Sequence, residues 1–302
     1  MGRQTVRVPS TSVAEELRFG VYILQDAPLP ELRQRWSEAE GLGFDQIWLA
    51  DHTRDFRRDG PWFDAWATLA VMAVETARVR IGTLVANPLL RPPAVLARVA
   101  STVDAFSDGR LELGIGTGIA GFDHDATGTP YWSLAERLDR FRDYVTIVDE
   151  LLCRAPAPVT VEGQYLSSRG LALEPTPQRP RPPLILGGQS PSVLRLTAER
   201  ADGWNTHGPF GASLEEIRDV TVRQNARLDE LCIGAGRDPT AVRRSLLLYD
   251  ALDAWASADA FNRTVQTFVD IGIREFVVFW PRDDQRPLFE RAASTSIPRM
   301  RS

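Results

Sequence analysis

The chain has 302 residues, 43% hydrophobic and 25% charged, so it can bury a sizeable core and disorder is not expected. Its formal charge of −5, from 40 acids and 35 bases, argues against a nucleic-acid or membrane-surface role. Every base is arginine, and without a lysine amine the chain can be neither a Schiff-base aldolase, nor a pyridoxal-phosphate enzyme, nor a P-loop NTPase.

In chain order, residues 1–16 are expected to form a polar, flexible tail. Residues 17–24 predict a first strand and 32–41 a helix ended by glycine. The alternation then repeats, with strand 46–50 and helix 62–75, then strand 79–85 and helix 92–106, which has proline in its first turn. Strand 111–115 is followed by helix 134–152, where Leu134, Leu138, Phe141, Val145, Val148 and Leu152 recur at helical spacing. A proline-rich excursion over 154–183 comes next, with a hairpin of 159–161 and 165–166 around Glu162 and Gly163. Beyond it lie strand 184–186 and helix 193–201, then strand 204–206 and helix 214–231. Strand 246–249 with helix 260–271, and strand 275–279 with a short closing helix near 287–293, complete the pattern.

Short strands that are apolar on both faces belong to a parallel sheet covered by helices. Eight such units predict an α/β chain with a single (β/α)8 TIM-barrel domain over 17–302, a doubly wound open sheet being the alternative. The excursion, followed at once by the fifth strand, is expected to be an insertion folding over one barrel end.

The two cysteines, Cys153 and Cys232, form no CxxC pair and fall in helical stretches as small semi-buried hydrophobes. His52, His124 and His207 lie far apart without an HExxH pattern, so no metal site is expected. No apolar run is long enough to span a membrane and no signal-peptide apolar region opens the chain, so a cytoplasmic location is expected. The stretch from Pro61 to Met72 is apolar nearly all round, which predicts either a homodimer interface or deep burial beneath a loop.

In a barrel of this type the working residues gather in the loops after the strands' carboxyl ends. Those ends are Asp51 and His52, Thr83 to Asn87, Gly114 to Gly118, Gly187 to Ser190, Asn205 to His207, Tyr249 and Trp280. Asp51 and His52 are the one obvious acid–base pair. His124, between Asp123 and Asp125, reads as a solvated loop residue. Gly114-Ile115-Gly116-Thr117-Gly118 superficially matches a dinucleotide fingerprint, but three units precede it and 122–130 (FDHDATGTP) intervenes before any helix. It is either a tight turn that needs glycine or a flat surface for a cofactor ring. Gly187, Gly188, Gln189 and Ser190 end a strand and open a helix, bringing amides and a hydroxyl together where an anion can bind without lysine. Plain N-capping by Ser190 is the alternative.

IWLADH (Ile47 to His52), RIGTLVANPLLRPPAVLARVASTVDAFSDGRLELGIGTG (Arg80 to Gly118), LILGG (Leu184 to Gly188) and ADGWN (Ala201 to Asn205) together resemble the luciferase-like superfamily of flavin- or deazaflavin-dependent oxidoreductases. The resemblance covers Leu17 to about Arg291. It implies a barrel holding a reduced ring at the strands' carboxyl ends, backed by a bulge with a non-prolyl cis peptide, here at Leu84 and Val85. Asp51, His52 and the GIGTG turn are most similar to the branch that uses the deazaflavin coenzyme F420. Sugar-phosphate dehydrogenases of that branch carry an acid directly after the turn and a lysine beyond strand six, where this chain has Ile119 and Phe210. Phe56, Trp62, Phe122, Trp132, Phe210 and Trp280 then predict a hydrophobic substrate pocket.

The resemblance thus implies an F420-dependent oxidoreductase in which His52 exchanges a proton beside the ring and Asp51 orients it. Coenzyme binding falls to Leu84, Val85, Gly116, Thr117, Gly118, Gly187, Gly188, Gln189, Ser190, Asn205 and His207. Two alternatives stand beside it. One is a monooxygenase using reduced FMN and oxygen, with a separate coenzyme or flavin reductase as partner, and the other is a non-catalytic flavin-binding barrel.

Overall fold

The structure, a computed structural model, describes residues 16–55, 57, 59–249 and 255–301. The expected tail and Phe56 lie outside the described residues, apart from Glu16 at the tail's end. The strands in chain order are Arg18–Tyr22 (β1), Gln46–Leu49 (β2), Arg80–Ala86 (β3) and Leu111–Ile115 (β4). Val159–Glu162 (β5) and Ser167–Leu171 (β6) form an antiparallel hairpin. Leu184–Gly187 (β7), Gly203–Thr206 (β8), Arg243–Leu248 (β9) and Glu275–Phe279 (β10) follow. Eight of these close a parallel barrel in the order β1-β10-β9-β8-β7-β4-β3-β2, with β5 and β6 outside it. The TIM barrel is therefore observed, and the open-sheet alternative is excluded.

Side-chain alternation explains why the strands look apolar throughout. Phe19, Val21, Ile47, Ile81, Leu113 and Phe276 point outward into the core shared with the helices. Tyr22, Trp48, Leu84, Ile185, Leu247 and Val277 fill the interior. Trp48 occupies so much of that interior that a Cβ on Gly82 would lie 2.8 Å from its ring and 2.1 Å from the Glu112 carbonyl oxygen. At the strands' amino ends the interior turns ionic, with Arg243 bonded to both Glu112 and Glu275. A cavity of about 830 Å³ opens there, lined by Arg80, Glu112, Arg243 and Glu275 among others, at the end opposite the strand-end loops.

Several elements depart from the pattern read in the sequence. The first helix, Leu29–Gly41, begins three residues earlier because Pro30 suits a first turn. Residues read as a loop form the short helix Gly121–Thr127, ended by Gly128 at φ 65. His124 on that helix is buried rather than solvated. The second hairpin strand lies at Ser167–Leu171, and Asp143 accepts from the amides of Tyr165 and Leu166. That carboxylate ties the hairpin to the flank of helix Leu134–Cys153, and Asp104 holds the Gln178 amide lower down. The excursion packs along helices Pro93–Phe106 and Leu134–Cys153. The closing helix Arg286–Arg291 continues through Ala292–Ser296 to Arg301. Cys232 is buried, whereas Cys153 is exposed.

Candidate functional site

At the carboxyl end of β2, Asp51 and His52 leave the sheet and face different partners. Asp51 Oδ2 accepts from the Asn87 amide at 2.9 Å and pairs with Arg91. Asp51 is 1% exposed, and burial pushes its carboxyl above the ordinary value against the pull of Arg91. It does not orient His52. Instead, His52 Nδ1 lies 2.6 Å from Oδ2 of Asp123 on helix Gly121–Thr127. Neighbouring side chains point to opposite faces of an extended chain, so adjacency in sequence works against a direct Asp51–His52 contact.

Asp123 is fully buried and surrounded by donors. Its Oδ1 accepts from the amide and hydroxyl of Thr53 at 2.9 and 2.7 Å, and its Oδ2 accepts from Asn87 Nδ2 at 2.7 Å. Burial alone would raise its carboxyl, but the hydrogen bonds from His52 and Thr53 outweigh that and hold it below the ordinary carboxylate value. The sequence reading missed this residue. The usable signal was Gly128, a helix stop seven residues after Gly121.

Around His52 the structure gathers Phe122, with ring centroids 5.3 Å apart, and Trp62, whose Nε1 donates to the His52 carbonyl at 2.8 Å. A second group of rings lines the mouth. Tyr22 meets Phe279 at 5.0 Å, Phe279 meets Tyr249 at 5.3 Å, and Tyr249 meets both His207 and Phe210 at 5.3 Å. Burial pulls the His207 imidazole below its ordinary value, and its Nδ1 is buried without a hydrogen-bond partner. One layer deeper, Asn205 Nδ2 donates to Ser245 at 2.9 Å.

The third part is the bulge. A cis peptide bond joins Leu84 and Val85, and the β3–β4 register shifts between Thr83 and Ala86. The Val85 side chain then occupies space left by two glycines. A Cβ on Gly116 would lie 2.2 Å from Val85 Cγ2, and one on Gly187 would lie 2.8 Å from Cγ1. Gly118, at φ 68, packs beside Asn87 and Leu89. At the start of helix Pro191–Arg200, Ser190 Oγ accepts from the Val193 amide at 3.3 Å as an N-cap. Gln189 Nε2 donates to the Gly208 carbonyl at 2.7 Å. Among the described residues, the amides of Gln189 and Ser190 donate to no other backbone group.

One expected pocket residue lies elsewhere. Trp280 is one residue past the inward-facing Phe279, so it points outward and packs on Phe289 with Arg286 over its ring. Phe279 takes its place at the mouth. Trp132 stands edge-on to His124 and lines, with Thr117, Arg137 and Arg140, a groove of about 270 Å³. No cluster of three or more metal-ligating side chains occurs among the described residues.

The luciferase-like monooxygenase family profile matches residues 9–288. An F420-dependent glucose-6-phosphate dehydrogenase of Nakamurella multipartita is 27% identical, covering 95% of this chain and 97% of that protein. A protein of the same name from Amycolatopsis mediterranei is 32% identical over 87% of this chain and 92% of its own length. The fold of an F420-dependent secondary alcohol dehydrogenase, solved with an F420–acetone adduct, superposes with a TM-score of 0.82 at 22% identity, covering 95% of this chain and 100% of that one. The chain belongs to the luciferase-like monooxygenase family.

Proposed function

We propose that the chain is an F420-dependent oxidoreductase that exchanges a hydride with a neutral, largely apolar alcohol or carbonyl compound. The observation that carries this reading is the imidazole of His52, paired with a buried carboxylate and set beside the glycine-bordered bulge at the barrel mouth. Relatives similar over nearly the whole chain bear F420-dependent names, which supports the same coenzyme here.

The residues present fit that coenzyme. Gly116 and Gly187 make room for the Val85 side chain, which lets the bulge at Leu84 and Val85 offer a surface on which a flat ring would rest. The amides of Gln189 and Ser190, which donate to no backbone group among the described residues, suit its phosphate at a helix start. Gly188, Thr117, Gly118, Asn205 and His207, at the neighbouring strand ends, would complete its surroundings. When bound, F420 supplies the hydride donor or acceptor. His52 takes the proton from the substrate hydroxyl during oxidation and returns it to the carbonyl oxygen during reduction.

The mouth is weighted toward an apolar substrate and against a sugar phosphate, with one guanidinium, that of Arg54, standing over the Phe122 ring. Its walls are the rings of Tyr22, Trp62, Phe210, Tyr249 and Phe279. Arg57 is committed to Asp26 and Asp55, and Arg91 to Asp51 and Asp64. Ile119 and Phe210, both exposed, offer no charge.

The test is a spectroscopic titration of the protein with F420 and, separately, with FMN, followed by assays with cyclohexanol and with glucose 6-phosphate. F420 binding with oxidation of cyclohexanol but not of the sugar phosphate is the expected result. Binding of FMN alone, with oxygen consumption once it is reduced, would replace this reading with the monooxygenase. Binding of neither would end it.

A further inference from the structure

The carboxylate beside His52 is built into the fold more firmly than the imidazole it touches. Asp123 is 0% exposed, while the His52 side chain retains 28% of its surface at the mouth. Thr53 supplies two donors to one carboxylate oxygen, and Asn87 and His52 supply donors to the other. Asn87 also reaches further, because its own amide donates to Asp51 and its Oδ1 accepts from the Leu89 amide. The ends of β2 and β3 and the helix Gly121–Thr127 therefore meet in one network, with Asp123 at its centre.

An ionised carboxylate only accepts hydrogen bonds, so the imidazole nitrogen facing it must carry hydrogen. In neutral His52 that assigns the hydrogen to Nδ1 and leaves Nε2 as the basic position. Resting on the reading of His52 as the proton-exchanging group, we infer that Asp123 is its positioning residue. It fixes the ring's orientation and its Nδ1–H tautomer, so that the proton exchanged with the substrate oxygen passes through Nε2. When alcohol is oxidised, the O–H bond breaks toward His52 Nε2 as the carbinol carbon gives up its hydride to the deazaflavin and the C=O bond forms. The resulting imidazolium then lies against a carboxylate that stabilises it, and reduction runs the same transfers backward.

Asp123→Asn tests this with a predictable polarity. The Thr53 amide is an obligatory donor, so the carbonyl oxygen of the introduced carboxamide faces it and the NH2 group faces His52, with the Asn87 carboxamide turning over so that its Oδ1 rather than its Nδ2 meets that NH2. Nδ1 would then have to accept, and the hydrogen would move to Nε2. Only three histidines occur in the chain, so ¹⁵N-histidine labelling gives a spectrum that single His124→Gln and His207→Gln variants can assign. Expected are an Nδ1–H tautomer for His52 in the wild type, an Nε2–H tautomer in Asp123→Asn, and an F420 dissociation constant within about threefold of wild type in that variant.

A wild-type Nε2–H tautomer would overturn the inference without recourse to any variant, so misfolding of Asp123→Asn cannot shelter it. An unchanged tautomer in a folded Asp123→Asn would overturn it equally. If the wild type shows Nδ1–H yet binds no F420, the redox reading fails instead, and the positioning role falls with it.

Discussion

His52 and Gly116 carry the sharpest consequences at the scale of single residues. If His52 exchanges a proton in step with hydride transfer, His52→Ala should lower turnover by about 10²–10⁴-fold. Coenzyme affinity should change far less, since the bulge and the amides near Ser190 are untouched. Steady-state kinetics and an F420 titration on this one variant separate the two effects, and full turnover at saturating coenzyme would refute the assignment. Gly116→Ala acts by volume, because its Cβ would fall 2.2 Å from Val85 Cγ2. Overpacking of this kind costs about 1–3 kcal/mol, which denaturant unfolding would read, and the displaced Val85 should weaken F420 binding as well. The residue scale also shows where a sequence misleads. Asp51 stands next to His52 and looks like its partner, yet the extended backbone turns it toward Arg91. The true partner, Asp123, is 71 positions away.

Between elements, helix ends and strand entries are joined by side chains that satisfy backbone amides. Glu40, in the last turn of helix Leu29–Gly41, accepts at Oε1 from the amides of Ala77, Arg78 and Val79 at 3.0, 2.6 and 2.9 Å, just before β3. Partial burial would raise its carboxyl, but these amides outweigh it and hold it below the ordinary value. A carboxyl depressed in the folded state adds stability above its unfolded pKa, about 4.3 for glutamate, and loses it as pH falls through the folded value. Wild type should therefore be more stable than Glu40→Gln at neutral pH, with the gap closing on acidification. A gap that stays constant from neutral pH down to pH values well below that pKa would contradict the clamp. Ser190 plays a comparable part at helix Pro191–Arg200. Its oxygen accepts from Val193, which leaves its O–H able to donate to a phosphate. Ser190→Ala should thus cost about 1 kcal/mol in stability and also weaken F420 binding. A loss confined to stability would leave the residue as a cap alone.

For the whole molecule, the apolar stretch around helix Ala65–Glu75 finds most of its partners within the protomer. Ala65, Trp66, Leu69, Met72 and Ala73 are buried, against Val74 left exposed. Helix Pro93–Phe106 packs beside it and exposes Val95 and Phe106. We propose that these two helices form the contact of a homodimer. Light scattering should give twice the chain mass at micromolar concentration, and a monomer there would exclude the dimer. No helix among the described residues is long and apolar enough to cross a membrane.

What the sequence by itself determined was periodic or local. Alternating apolar strands and helices with period-matched faces specify a parallel sheet covered by helices, and glycines at strand ends mark where the chain must pass close to another group. Absent lysine removed whole chemistries before any fold was drawn. Tertiary structure alone decided which side chains meet. Phe279 rather than Trp280 faces the mouth because strand alternation runs continuously from Glu275, and one residue reverses the face. Asp123 reaches His52 because the turn after β4 folds into a helix against the end of β2. That contact depends on β2, β3 and β4 lying side by side in the sheet, and no spacing along the chain encodes it.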